Sequence, residues 1–326
     1  KQIEAGLNPS SIRADARERR NVTFEAIAKE WLARQPFTEK TRAKAEWMID
    51  TLDVPHIGSR PINDLTAPEI LAVLRRIETR GKLDTCHRTK WRIGQVIRYA
   101  VATGRALRDP TGDLRGALNS PKTVSRSAIT APRRFGELLL AIDEYRGQGN
   151  TWAALRLAPL VFVRPGELRA AEWKEFTLEG ENPEWRIAAE RMKMKEEHIV
   201  PLSRQAVGIL KELQAFTGRG TFLFPSLRTS QRPISDNTLN AALRRLGFSK
   251  DEMTTHGFRA TASTMLNESG VAPDLIELQL AHAERNKVRA AYNRAQRLAE
   301  RRQMMQRWAD YLDELRVIAS TPNVVP

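Results

Sequence analysis

Six side chains in five separated words of this chain have the chemistry to hold and break a phosphodiester. Arg164 stands in Phe162-Val163-Arg164-Pro165-Gly166-Glu167-Leu168 and Lys193 in Met192-Lys193-Met194. His256 and Arg259 share Thr255-His256-Gly257-Phe258-Arg259, His282 ends Leu280-Ala281-His282, and Tyr292 lies in Ala291-Tyr292-Asn293-Arg294. Two guanidiniums and an imidazole are donors that fit the two non-bridging oxygens of a phosphodiester. The phenol of Tyr292 is the attacking group. With an ordinary pKa near 10, only about one phenol in a thousand is ionised at neutral pH. Neighbouring positive charge must therefore favour the phenolate and stabilise a five-coordinate transition state.

Each word has a bland reading of its own. His-x-x-Arg is found by chance in many helices, an Arg-Pro-Gly-Glu run reads as a surface arginine paired with Glu167, and a histidine ending a helix answers its dipole. A hairpin carrying Lys193 and Lys195 simply touches a DNA backbone. The ordered set is specific where the words are not. In that order they resemble the tyrosine recombinase family, most closely the integrases of temperate and satellite phages and of genomic islands. The resemblance implies that Arg164 and Arg259 clamp the phosphate and that His256 helps move protons. It implies that Lys193 is the general acid for the departing 5′ oxygen. Lys193 is preferred to Lys195 because His198-Ile199-Val200-Pro201-Leu202 sets the register. His282 is implied to hydrogen-bond the scissile phosphate, although the family has Leu-Gly-His where this chain has Leu-Ala-His. Attack by Tyr292 then yields a 3′-phosphotyrosine and a free 5′ hydroxyl, a stored bond that can be rejoined without ATP. Tyr99, Tyr145 and Tyr311 are read as packing residues.

The elements that must position these groups are mainly helical. Residues 1–20 are polar and basic and read as a connector. The chain opens on Lys1 rather than Met, and the resemblance implies a preceding small domain for accessory arm sites. Residues 21–118 carry helical periodicity throughout, starting with Phe24, Ile27, Ala28, Trp31 and Leu32, and make an all-helical module that the resemblance identifies as a core-type DNA-binding domain. Thr66-Ala67-Pro68-Glu69 is a capping box opening a helix over Ile70 to Ile77, and a further helix is expected over residues 84–103, ending at Gly104. Residues 119–128 break every period and read as a linker.

From residue 129 to 326 the pattern predicts a mostly helical domain with a small antiparallel sheet, the tyrosine recombinase catalytic fold. Strands are expected at Phe176 to Leu178, Trp185 to Ala188 and His198 to Pro201. Helices are expected over residues 151–163, 205–216, 236–246, 257–268, 273–281, 286–295 and 297–316. Pro165 places Arg164 at a helix entrance, beside a positive helix end. Met304, Met305, Trp308, Leu312 and Leu315 recur at helical spacing and read as core. The resemblance implies a competing role, since in related recombinases a segment beyond the tyrosine packs on the neighbouring protomer.

With 53 Lys plus Arg against 39 Asp plus Glu, the formal charge is +14, which suits a polyanion. The single cysteine, Cys86, excludes an internal disulfide and fits a reducing cytoplasm. No stretch approaches the roughly 20 apolar residues of a membrane helix. No Walker P-loop, no Gly-x-Ser-x-Gly and no two-metal carboxylate cluster is legible, so no cofactor or metal is expected. The function so read is site-specific recombination that integrates or excises a mobile element. The resemblance implies as partners double-stranded DNA attachment sites, a homotetramer on DNA, an accessory DNA-bending protein and an excisionase, in a bacterial cytoplasm and associated with the nucleoid. A type IB topoisomerase and a catalytically silent DNA-binding protein are the alternatives.

Overall fold

The computed structural model describes residues 22–121, 127–192, 194–282 and 296–321. The connector at residues 1–20, the middle of the linker and the helix expected over 286–295 lie outside them. The chain forms two compact units, Lys1–Val124 and Ser125–Pro326.

In the first unit, α1 (Phe24–Ala33) begins where the Thr23 hydroxyl accepts from the Ala26 amide at 3.3 Å. Its apolar face, Phe24, Ile27, Ala28, Trp31 and Leu32, is buried as the spacing predicts. Next, α2 (Glu39–Met48) runs into a π-helical turn, Ile49–Asp53, and a last turn, Val54–Ile57. Pro55 has no amide proton to donate into that stretch, which accounts for the widened turn before it. The expected cap is present at α3 (Ala67–Glu78), where the Glu69 carboxylate accepts from the Thr66 amide at 2.9 Å and its hydroxyl at 2.7 Å. Last comes α4 (Leu83–Ala102), which stops short of Gly104, whose φ of 73° continues no helix.

One feature of this unit opposes the usual rule for charges. Asp53 is fully buried, and neither carboxylate oxygen has a hydrogen-bond partner. Arg92 lies with its guanidinium over the rings of Trp31, Phe37 and Trp91, 5.4 to 5.5 Å from their centroids. Burial raises the Asp53 pKa well above the ordinary carboxylate range, and the Arg92 charge only partly opposes it.

In the second unit, α5 (Pro132–Asp143) and α6 (Gly149–Val161) are followed by the single turn of helix α7 (Pro165–Arg169). A three-stranded antiparallel sheet follows in the order β1 (Phe176–Thr177), β2 (Glu184–Ile187), β3 (His198–Pro201), with Trp185 opposite Val200. The remaining helices are α8 (Arg204–Thr217), α9 (Thr238–Arg245), α10 (Gly257–Glu268), α11 (Pro273–Gln279) and α12 (Leu298–Ser320). The core gathers around α6, which is apolar on nearly every face.

The C-terminal stripe belongs to this same core. Met304, Met305, Trp308, Leu312 and Leu315 of α12 are buried among residues of α5, α6 and α10. Trp308 donates its indole N–H to the Pro159 carbonyl at 2.8 Å and meets Phe162 edge-on. Gly136 permits the crossing of α5 and α12, because a Cβ there would lie 2.2 Å from the Leu315 carbonyl oxygen. Among the described residues no helix is long and apolar enough to cross a membrane, and no group of metal-ligating side chains forms.

The buried Asp53 generates a pH prediction for the first unit. A carboxyl whose pKa is raised by folding binds its proton more tightly in the native state, so its contribution to stability is fully present at low pH. It is lost as pH rises from the unfolded value through the folded one. Asp53→Asn keeps the shape and removes the ionisation. The variant is expected to be more stable than the parent at neutral pH, with the difference vanishing below about pH 4. Denaturant unfolding followed across that range measures it, and a parent that gains stability as pH rises would contradict the burial argument.

Candidate active site

Arg164 is set by a local device. It precedes α7 with extended backbone (φ −65°, ψ 141°), as a residue before proline must. Glu167, 6% exposed, reaches back three residues. Its Oε2 accepts from the Arg164 amide at 2.9 Å and its Oε1 from Nη1 at 2.8 Å. The pairing with Glu167 that a surface reading would give is therefore real, yet the carboxylate is buried and the guanidinium remains partly accessible, at 21% of its side chain. Its Nη2 donates to the Ala281 carbonyl at 2.8 Å. Because α7 has only five residues, its dipole is a minor influence beside these bonds.

Arg259 comes from the first turn of α10 and is 4% exposed. Nη1 donates to the Phe162 carbonyl at 2.9 Å and Nη2 to the Leu280 carbonyl at 2.7 Å. Burial pushes its pKa down to about 10, with the Arg164 charge acting in the same direction and Glu167 and Glu277 against it. It stays charged at neutral pH. Gly257, between His256 and Arg259, is required by packing, since a Cβ there would stand 2.4 Å from the Ser127 carbonyl oxygen. His256 is half-buried immediately before α10, on the turn that carries Arg259.

Arg259 also meets His282, with Nη2 3.2 Å from Nε2. A guanidinium only donates, so Nε2 is the acceptor and the ring proton sits on Nδ1, which donates to Glu277 Oε2 at 2.7 Å. Glu277 thus fixes the tautomer. For Nε2 to donate to an oxyanion, it must carry a proton and part from Arg259.

The turn after α11 unites these groups. Leu280 and Ala281 offer successive carbonyls to Arg259 and Arg164, and His282 follows directly. Ala281 has φ 48°, the left-handed region that glycine prefers, so alanine in place of the family's glycine carries strain here. Phe162, whose carbonyl also holds Arg259, has φ 33°.

Arg164, Arg259 and His282 therefore converge. Lys193 and Tyr292 lie outside the described residues. Lys195, the competitor, has φ 59° and turns its ammonium onto the Glu190 carbonyl of its own loop at 3.2 Å. Of the other tyrosines, Tyr99 donates to Glu30 at 2.5 Å and Tyr311 packs 6.0 Å from Trp308, centroid to centroid. Sequence reasoning did not find Glu277 as the partner of His282, because a five-residue separation across a helix end has no periodic signature. It used His198 only to set register, whereas the imidazole is 6% exposed and donates from Nε2 to the Gln279 carbonyl at 3.1 Å. Burial, then the Arg301 charge, pushes its pKa down to about 3, so it is neutral at physiological pH.

Comparison with known proteins gives the family. Residues 24–117 match the phage integrase central domain and residues 137–298 the phage integrase family. The integrase of Enterobacteria phage P4 is 40% identical over 96% of this chain and 75% of its own length. The integrase of Shigella phage Sf6 is 33% identical over 96% of this chain and 81% of its own. Among solved structures, a lambda integrase dimer bound to a COC′ core site superposes with a TM-score of 0.67 at 17% identity, covering 91% of this chain and 81% of that one. A lambda integrase tetramer bound to a Holliday junction gives a TM-score of 0.67 at 19% identity, over 86% of this chain and 83% of that one. The chain belongs to the phage integrase family of tyrosine recombinases, enzymes of site-specific DNA recombination. Against that membership the topoisomerase and silent-binder alternatives have nothing to support them.

The strained turn yields a stability prediction. A left-handed alanine costs roughly 1 to 2 kcal/mol, part of which glycine returns to the unfolded chain as entropy. Ala281→Gly is expected to raise the stability of the second unit by up to about 1 kcal/mol. A shift of the denaturant midpoint to lower concentration would mean that the turn is not strained as described.

Proposed function

We propose that this protein cleaves and rejoins DNA at attachment sites through Tyr292, with Arg164, Arg259 and His282 gripping the scissile phosphate. The observation that carries this reading is the convergence of two guanidiniums and an imidazole on one turn, Leu280 to His282. In the reaction, the Tyr292 oxygen attacks phosphorus as its proton leaves. The phosphorus–O5′ bond breaks as Lys193 protonates the departing oxygen, and His256 assists the transfers. The two guanidiniums sit where negative charge grows on the non-bridging oxygens, and being already held they need no reorganisation. Attack by the free 5′ hydroxyl of a partner strand reverses each step and releases the tyrosine.

Residues 21–118 act as a core-type DNA-binding domain, and residues 129–326 supply the chemistry. The matches to a phage integrase central domain and to the integrase family support that division. So does the charge of +14, which suits contacts spread over many phosphates. Four protomers act on two duplexes through a Holliday junction. The likeness to a lambda integrase fold that was solved as a tetramer on such a junction supports this. The work takes place in the bacterial cytoplasm, on DNA in the nucleoid.

Two substitutions test the roles. Tyr292→Phe removes the nucleophilic oxygen and little volume, so DNA binding is expected to persist while the covalent band on a denaturing gel disappears. An undiminished covalent band would assign the nucleophile elsewhere.

Lys193 is tested by its leaving group. A 5′-bridging sulfur departs as a thiolate, whose conjugate acid is far stronger than an alcohol, so a general acid becomes dispensable. Lys193→Ala is expected to fail on ordinary DNA and to cleave the bridging phosphorothioate almost as the parent does, whereas Lys195→Ala shows no selective rescue. Rescue of Lys195→Ala alone would move the acid by two residues.

A further inference from the structure

One buried cation in the second unit has no part in the chemistry above. Arg301, in the first turn of α12, is 2% exposed. Among the described residues it bonds to no carboxylate. Its Nε and Nη2 donate to Oε1 of Gln279 at 3.1 and 2.7 Å, and Nη2 also donates to the Ile199 carbonyl at 2.5 Å. Burial, with the Arg302 charge, pushes its pKa down to about 10, which leaves it charged at neutral pH. Taking a cation from water with only neutral acceptors in return is costly, and an apolar side chain would fill this space at less expense to stability. The location of its two partners explains what the cation does.

Gln279 is fully buried and is the last residue of α11. Two bonds from a group that can only donate fix which end of its amide faces Arg301. Its own carbonyl receives His198 of β3, and the carbonyls of the next two residues, Leu280 and Ala281, receive Arg259 and Arg164. Ile199, the second partner, neighbours His198. Arg301 therefore sits behind the strained turn, joined to both elements that brace it, while the two arginines bond to the turn itself.

We propose that Arg301 is a positioning residue for the phosphate clamp, holding through Gln279 the Leu280 and Ala281 carbonyls that orient Arg259 and Arg164. The proposal rests on the roles assigned to those two arginines. Without Arg301 the Gln279 side chain loses both of its charge-assisted bonds, and the end of α11 is free to relax. The carbonyls then shift, and a displacement of 1 Å at a reacting centre costs about a hundredfold in rate.

The test compares Arg301→Met and Gln279→Leu with the parent, using the full chain at saturating core-site DNA. Cleavage is measured on a normal phosphate and on a methylphosphonate, in which a methyl replaces one non-bridging oxygen and removes the charge that the arginines answer. On phosphate each variant is expected to cleave about a hundredfold slower, with unchanged Kd and a cooperative thermal transition. On methylphosphonate the deficit should shrink to below about tenfold, because the clamp matters less there. Arg301→Lys, which keeps the charge but not the fork, is expected to recover part of the rate.

Parental rates on phosphate, an equal deficit on both linkages, or a deficit accounted for by weaker binding would each overturn the proposal. If Arg301→Met does not fold, Gln279→Leu and Arg301→Lys decide the matter by the same comparison. Arg259→Ala serves as the control. Were it to cleave phosphate at the parental rate, the clamp itself would be misassigned, and that failure is distinct from a failure of Arg301.

Discussion

Everything in the second unit that bears on chemistry depends on two positive charges held to one turn of backbone. Arg164 and Arg259 repel each other, and the burial of Arg259 strengthens the repulsion by removing solvent. Three carbonyls and two carboxylates hold them there. Phe162, Leu280 and Ala281 accept hydrogen bonds, Glu167 pairs with Arg164, and Glu277 adds negative charge beside Arg259 while fixing the His282 ring. A neutral group would be cheaper at each position. The cations are instead held in fixed positions, which costs stability and, on the proposed reading, spares reorganisation during the reaction.

The same trade appears in the backbone. Two of the four described non-glycine residues with positive φ, Phe162 and Ala281, supply carbonyls to the clamp. Strain of this kind persists only where surrounding packing over-determines it. Phe162 is fully buried against Trp308, and Leu280, just before Ala281, is 2% exposed. Core packing and site geometry are therefore not separable here: the aromatic contact that seats α12 also restrains the residue whose carbonyl orients Arg259.

How much of this the sequence disclosed follows from the range of each interaction. Local signals were legible: the Thr66 cap, the stop at Gly104, the proline after Arg164 and the short run His198 to Pro201 each predicted an element to within a residue or two. The convergence of Arg164, Arg259 and His282 was legible only as an ordered set of words resembling a family, since nothing in residues 162–168 specifies residue 281 as a neighbour. By size alone, alanine for glycine before His282 is a slight change. It carries strain because of backbone angle, which size does not report. The bonds of Glu277, His198, Gln279 and Arg301 were not legible for a further reason, because they cross between a strand, a helix end and a helix start, where no period runs.

The C-terminal helix is held by the same core that supports the paired arginines. Leu280, at 2% exposure, and Arg301, Met304 and Met305, at 4% or less, are fixed in the core of the second unit. For α12 to move as a rigid lever, Trp308, Leu312 and Leu315 would have to leave that core, at roughly 2 kcal/mol or more for each large apolar side chain exposed. Such a motion would also break the Trp308 bond to Pro159 and the Arg301 bonds to Gln279 and Ile199. The stripe of α12 is therefore part of the second unit's own core, and the bonds of Trp308 and Arg301 hold it there.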